Sequence, residues 1–167
     1  MAEGLAAIHA CGVVHRDLKP GNVIMAEDGP RIIDFGIARP ADASSLTSTG
    51  VVIGTFAYMS PEQVRGERTG PASDVFSLGC VLIFADTGQG PFDAATIPAI
   101  VHRIIREEPR LGGITGDLRD LAGPCLAKTP TDRPGVEEIL PGSRPDREGA
   151  GNEGADDATG RSAGHRR

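Results

Sequence analysis

Val14-His15-Arg16-Asp17-Leu18-Lys19-Pro20-Gly21-Asn22-Val23 concentrates an acid, a lysine and an amide within six residues. It lies between a helix-like segment and an apolar run, so it reads as loop. Asp17 and Lys19 are two apart, and in an extended loop they point to the same side. The Pro20-Gly21 bend can turn Asn22 back towards them. A carboxylate that accepts a proton, a cation beside it and an amide oxygen for a metal are the groups that phosphoryl transfer needs. Twelve residues beyond Asn22, Asp34-Phe35-Gly36 follows a second apolar run. A carboxylate at a strand end can project into a cleft and hold a divalent ion, and the glycine lets the chain turn sharply.

The flanking elements follow from pattern. Glu3 to Cys11 reads as a helix stopped by Gly12. Val23–Met25 and Arg31–Ile33 read as two short strands joined by a turn over Ala26-Glu27-Asp28-Gly29-Pro30. Residues 37–58 are rich in Ser, Thr, Ala and Gly without a sustained period, which predicts a long loop. Asp74–Ala85 is apolar nearly all round, the mark of a helix buried on every side. An acid at its start then needs hydrogen-bond donors, and the backbone near His15 and Arg16 is the expected source. Ile97, Ile100, Val101, Ile104 and Ile105 make an amphipathic stripe, and Leu118, Leu121, Ala122, Cys125 and Leu126 repeat it.

The chain has 167 residues, enough for one ordinary domain. Hydrophobic residues at 39% are sufficient for a core, and no run approaches the length of a membrane span. A net charge of −6 argues against binding nucleic acid through its phosphates. Cys11, Cys80 and Cys125 form no CxxC pair, which argues against a zinc site or disulfide framework. They read as small core hydrophobes in a reducing, cytoplasmic setting. From Pro141 to Arg167 there is no Val, Ile, Leu, Met, Phe, Trp or Tyr. Such a segment cannot offset the entropy of ordering, so the chain divides into a folded part, 1–140, and a disordered polar tail, 141–167. Gly149-Ala150-Gly151-Asn152-Glu153-Gly154 within that tail matches G-x-G-x-x-G, but without a preceding strand it is a weak phosphate-loop signal.

The segment His15–Asn22 resembles the catalytic loop of eukaryotic-type (Hanks-type) serine/threonine protein kinases, and Asp34-Phe35-Gly36 resembles their metal-binding triplet. Gly54-Thr55 with Tyr58-Met59-Ser60-Pro61-Glu62 resembles the end of an activation segment. Asp74-Val75-Phe76-Ser77-Leu78-Gly79 resembles the start of the buried central helix, with Phe76 where Trp is usual. Thr87–Phe92 and Lys128–Pro134 resemble two later motifs. The Ser-Pro-Glu-Gln wording is similar to bacterial members. The implied architecture is the large, C-terminal lobe of a protein-kinase-like fold, mainly α with a short β-hairpin. Small-molecule phosphotransferases share an acid, an Asn and a later Asp, but lack the Pro-Glu segment end.

The resemblance implies ATP and Mg²⁺ (or Mn²⁺) as cofactors and a protein Ser or Thr as substrate. It makes Asp17 the catalytic base, Lys19 a stabiliser of the transferred phosphoryl group, and Asn22 and Asp34 the metal ligands. Ile24 becomes the floor under adenine. Arg16 becomes a partner for phosphate on Thr47 or Thr49, and Thr55 a residue touching Asp17 and Lys19. His15 and Phe35 are expected to pack, Glu62 and Arg133 to pair in the interior, and Asp74 to hold the loop. The chain has only two lysines, Lys19 and Lys128, and both belong to these motifs. None is left for the ATP phosphates, so a small lobe is expected upstream of Met1, and residues 1–167 by themselves are expected to transfer no phosphate. The face around Ile24 and Phe35 is then expected to self-associate. The rival reading is a non-catalytic lobe, a fragment or pseudokinase, that binds a protein through the groove under Ile97–Ile105.

Overall fold

The computed structural model describes residues 1–34 and 54–140. Phe35, Thr47, Thr49, most of the expected 37–58 loop and the 141–167 tail lie outside the described residues. The described elements are mostly helical, with one two-stranded antiparallel hairpin. No helix among them is long and apolar enough to cross a membrane.

Helix α1 (Ala2–Ala10) buries Leu5 and ends where Gly12 turns left-handed at φ +74, its N–H donating to His9 O. An extended stretch and a single 3₁₀ turn, Pro20–Asn22, lead into β1 (Val23–Ala26). The partner strand β2 spans Gly29–Ile32 and pairs Ala26 with Gly29. The turn is therefore only Glu27-Asp28, and the second strand starts two residues earlier than the sequence pattern suggests. Gly29, at φ +119, supplies the conformation that tightens it. Pro30 is tolerated because both strands of so small a sheet are edges.

Helix α2 (Pro61–Val64) is one turn with a full capping box. Ser60 Oγ accepts from Gln63 N–H, and Gln63 Oε1 accepts from Ser60 N–H at 2.9 Å. Helix α3 (Pro71–Thr87) begins three residues before Asp74, with Pro71 in its first turn, and stops at Gly88 in the left-handed region at φ +72. It is buried from Ser73 through Val81 and carries the core on all sides. Phe76 fills the place expected for a Trp by stacking on Phe92, centroids 5.6 Å apart.

Helix α4 (Ile97–Arg106) is capped by Thr96 and buries Ile100 and Ile104. Helix α5 (Gly116–Cys125) buries Ala122 and Cys125. At the α3–α5 crossing, a Cβ on Gly79 would sit 2.9 Å from Cys125 Cβ and 3.0 Å from Leu126 Cδ2, so only glycine permits this approach. Cys80 and Cys125 are core residues as expected, but Cys11 is exposed. It follows the last turn of α1, where the chain leaves the core. The final 3₁₀ turn, Val136–Ile139, returns to pack on α1.

Candidate functional site

The stretch from His15 to Asp17 has no strand or helix to satisfy its backbone, so side chains do so. Asp74, 1% exposed in α3, accepts from His15 N–H at 2.7 Å through Oδ2 and from Arg16 N–H at 2.8 Å through Oδ1. His9 of α1 places Nε2 2.8 Å from the same Oδ2. His15 is fully buried. Its Nδ1 accepts from Asp17 N–H at 3.3 Å, which leaves the ring proton on Nε2, facing Ile33 O at 3.3 Å. Arg16 is left-handed at φ +66, a conformation costing a non-glycine residue about 1–2 kcal/mol. Such strain persists only where the surroundings over-determine it.

Within this frame three side chains meet. Lys19 Nζ lies 2.9 Å and 3.1 Å from the two Asp17 carboxylate oxygens and 3.3 Å from Thr55 Oγ1. Asn22 Nδ2 donates to Asp17 O at 2.7 Å and to Asp17 Oδ2 at 3.2 Å. With its nitrogen committed to Asp17, Asn22 keeps its amide oxygen for a cation. The hairpin fixes the next ligand candidate. Ile33 N–H donates to Asn22 O at 2.9 Å, which extends the β1–β2 pairing by one step, and Asp34 is the next residue along. Asp34 is exposed, left-handed at φ +54, and its carboxylate has no hydrogen-bond partner among the described residues. An amide oxygen and a carboxylate are donors of the kind that suit Mg²⁺, which keeps waters and shares phosphate oxygens rather than entering an all-protein cage. Among the described residues there is no cluster of three or more His, Cys, Asp or Glu that could form such a cage.

Ile24 is 47% exposed and Met25 78% exposed, consecutive apolar residues of β1 that point to its opposite faces. The Arg16 guanidinium is exposed and unpaired among the described residues. Behind the loop, Glu62 of α2 and Arg133 form a two-pronged ion pair, Nη1–Oε1 2.7 Å and Nη2–Oε2 2.9 Å, with side chains 4% and 0% exposed. Ser73 Oγ donates to Glu62 Oε1 at 2.6 Å. Burial alone would raise the Glu62 carboxyl, but the Arg133 guanidinium and the Ser73 hydroxyl outweigh it and hold it at about 2. Lys128 lies over the Phe92 ring, 4.1 Å from its centroid; burial pushes its ammonium down to about 8, against an opposing pull from Glu108.

His9 and Gln63 escape the sequence reading. His9 is an ordinary residue on a short helix, and Gln63 Nε2 donates to Arg16 O at 2.7 Å across 47 residues. The capping-box spacing Ser60–Gln63 was a readable signal for Gln63 as a cap, but nothing local signals its second contact.

A buried helix acid holds the backbone of an Asp-Leu-Lys-Pro loop, and a lysine and an amide meet the carboxylate of that loop. A family model described as "Protein kinase domain" matches residues 1–143, and the chain belongs to that family. It is 57% identical over 140 residues, 84% of this chain and 19% of the relative, to the probable serine/threonine-protein kinase PkwA of Thermomonospora curvata. It is 48% identical over 155 residues to the serine/threonine-protein kinase AfsK of Streptomyces coelicolor, covering 92% of this chain and 19% of the relative. To the serine/threonine-protein kinase PknB of Mycobacterium leprae it is 44% identical over 132 residues, 75% of this chain and 21% of the relative. The chain spans about a fifth of the length of these curated relatives.

Proposed function

We propose that the site performs the catalytic half of serine/threonine protein phosphorylation, transfer of the ATP γ-phosphate to a protein hydroxyl. The observation that carries this reading is the bridge made by Lys19 Nζ between the Asp17 carboxylate and Thr55 Oγ1. It ties the loop that bears the acid to the segment that would present a substrate hydroxyl. Asp17 accepts and orients the proton of that hydroxyl. Lys19 offsets negative charge on the phosphoryl oxygens, acting from a position already fixed before substrate arrives. Asn22 Oδ1 and the Asp34 carboxylate would hold Mg²⁺, which supplies charge neutralisation to the phosphates. Ile24 offers an apolar surface to the nucleobase, and use of ATP implies the cytoplasm. Arg16, whose guanidinium is unpaired among the described residues, is available to bind a phosphate on Thr47 or Thr49 and so order the segment that carries them.

The test is transfer of radiolabelled γ-phosphate from ATP with Mg²⁺ to a serine/threonine protein substrate. The purified chain is assayed alone and fused to a small lobe from a relative, each beside its Asp17→Asn counterpart. The expected result is no transfer by the chain alone and, in the fusion, transfer that Asp17→Asn lowers by about 10²–10⁴-fold. Equal counts with and without Asp17 in both settings would refute the catalytic reading.

A further inference from the structure

Arg16 is the one strained residue inside the catalytic loop whose backbone groups are both met by distant side chains. Its N–H donates to Asp74 Oδ1 at 2.8 Å, and its C=O accepts from Gln63 Nε2 at 2.7 Å. Asp74 belongs to α3 and Gln63 to α2, so two separate helices grip one residue from opposite ends. The grip sits directly before Asp17. A peptide held at both its donor and its acceptor cannot relax from φ +66 towards an ordinary conformation without breaking one of the two bonds.

Gln63 is itself held rigidly. Its Oε1 accepts from Ser60 N–H at 2.9 Å and Ser60 Oγ at 3.2 Å, which fixes the amide plane and aims Nε2 at Arg16. Its neighbour Glu62 is locked to Arg133 and Ser73, which anchors α2 to the core. An ordinary helix cap needs only the oxygen of this side chain. The nitrogen is the part that reaches the catalytic loop.

We infer that Gln63 is a positioning residue for Asp17: through its Nε2–H bond to Arg16 O it couples the α2 turn to the conformation of the catalytic loop. This rests on the kinase reading of Asp17 for its catalytic consequence, but not for the coupling itself. The chemistry separates the two duties of Gln63. Gln63→Glu retains an oxygen for the capping box, where Glu serves as well as Gln. It replaces the donor with a second oxygen that repels the Arg16 carbonyl. Gln63→Met keeps the length and loses both duties.

The experiment is amide hydrogen exchange by NMR on the full ¹⁵N-labelled chain and both variants. Leu78 and Cys80 of α3 report on the fold. In Gln63→Glu, exchange at Arg16 and Asp17 is expected to rise about tenfold with Leu78 and Cys80 unchanged. The strong intraresidue HN–Hα cross-peak of a left-handed Arg16 should weaken. Gln63→Met should show the same local loss together with a loss of protection at Ser60. Unchanged exchange at Arg16 and Asp17 in Gln63→Glu would overturn the inference. So would an equal rise at Leu78 and Cys80, which would make Gln63 a support of the fold alone. These readouts need no phosphate transfer, so a failed kinase assay leaves them interpretable. Where transfer is measured, Gln63→Glu should lower kcat and leave KM for ATP unchanged; an unchanged kcat with faster exchange would refute the positioning role.

Discussion

Arg133→Met is expected to be the most damaging single substitution away from the catalytic loop. Arg133 has five N–H donors and the structure gives each one an acceptor. Nη1 meets Glu62 Oε1 and Ala72 O, Nη2 meets Glu62 Oε2 and Lys128 O, and Nε meets Ala127 O. Methionine fills similar volume but leaves Glu62 as a buried charge without its counter-ion, with the Ser73 hydroxyl still donating to it. Breaking one side of such a pair costs about 3–5 kcal/mol, a large part of the ~5–15 kcal/mol that holds a typical domain together. The pH dependence gives a second check. Glu62 lies at about 2 in the folded chain against an ordinary 4.5, a gap worth about 3 kcal/mol. Because the folded value is the lower one, this stability is complete above pH 4.5 and disappears as pH falls towards 2; about 2 kcal/mol of it is gone by pH 3. Urea unfolding followed by far-ultraviolet circular dichroism at pH 7 and pH 3 measures both. The deficit of Arg133→Met should shrink on acidification, because its stranded Glu62 takes up a proton. Adding Glu62→Gln to Arg133→Met should recover at least about 1 kcal/mol. A deficit under about 1 kcal/mol at pH 7, or one equal at both pH values, would refute the reasoning.

Gly79→Ala should cost a net ~1–2 kcal/mol in urea unfolding, since overpacking against Cys125 and Leu126 exceeds the roughly 1 kcal/mol that alanine gains in a helix. Asp74→Ala strands the His15 and Arg16 N–H groups, and their amide exchange should accelerate well before that of the α3 core. Lys128 is lowered to about 8 from an ordinary 10.5, so the unfolded chain binds the extra proton between those values. Stability should therefore rise with pH across that window relative to Lys128→Met; parallel urea midpoints at pH 7.5 and 10 would contradict this.

The parts of the molecule that were legible in the sequence are those encoded locally or by period. Asp17, Lys19 and Asn22 lie in one six-residue window, so their meeting follows from the loop that contains them. The all-round apolar character of α3 announced its burial, and a buried acid such as Asp74 had to find donors. Element ends were less legible. The hairpin turn is shorter than its polar run because Gly29 adopts a conformation that composition does not specify, and α3 starts early because Pro71 favours the first turn. Tertiary contacts of ordinary residues were not legible. His9 reaches Asp74 across 65 residues and Gln63 reaches Arg16 across 47, and neither separation leaves a periodic trace.

That division has a physical cause in the loop itself. A helix or strand satisfies its backbone from its own neighbours, so its shape is written near where it occurs. The stretch His15–Asp17 has no such ladder. The N–H groups of His15 and Arg16 go to Asp74, and that of Asp17 to an imidazole nitrogen. The carbonyls of Arg16 and Asp17 accept from the amides of Gln63 and Asn22. Its conformation is therefore written in side chains carried by two helices and one turn, most of them far away in sequence. Such a loop can hold a strained residue beside its acid because each contact is stiffened by the element behind it. It follows that a substitution on α2 or α3, without touching any reacting group, should change the geometry at Asp17 more than a substitution of similar size at exposed positions of the loop itself.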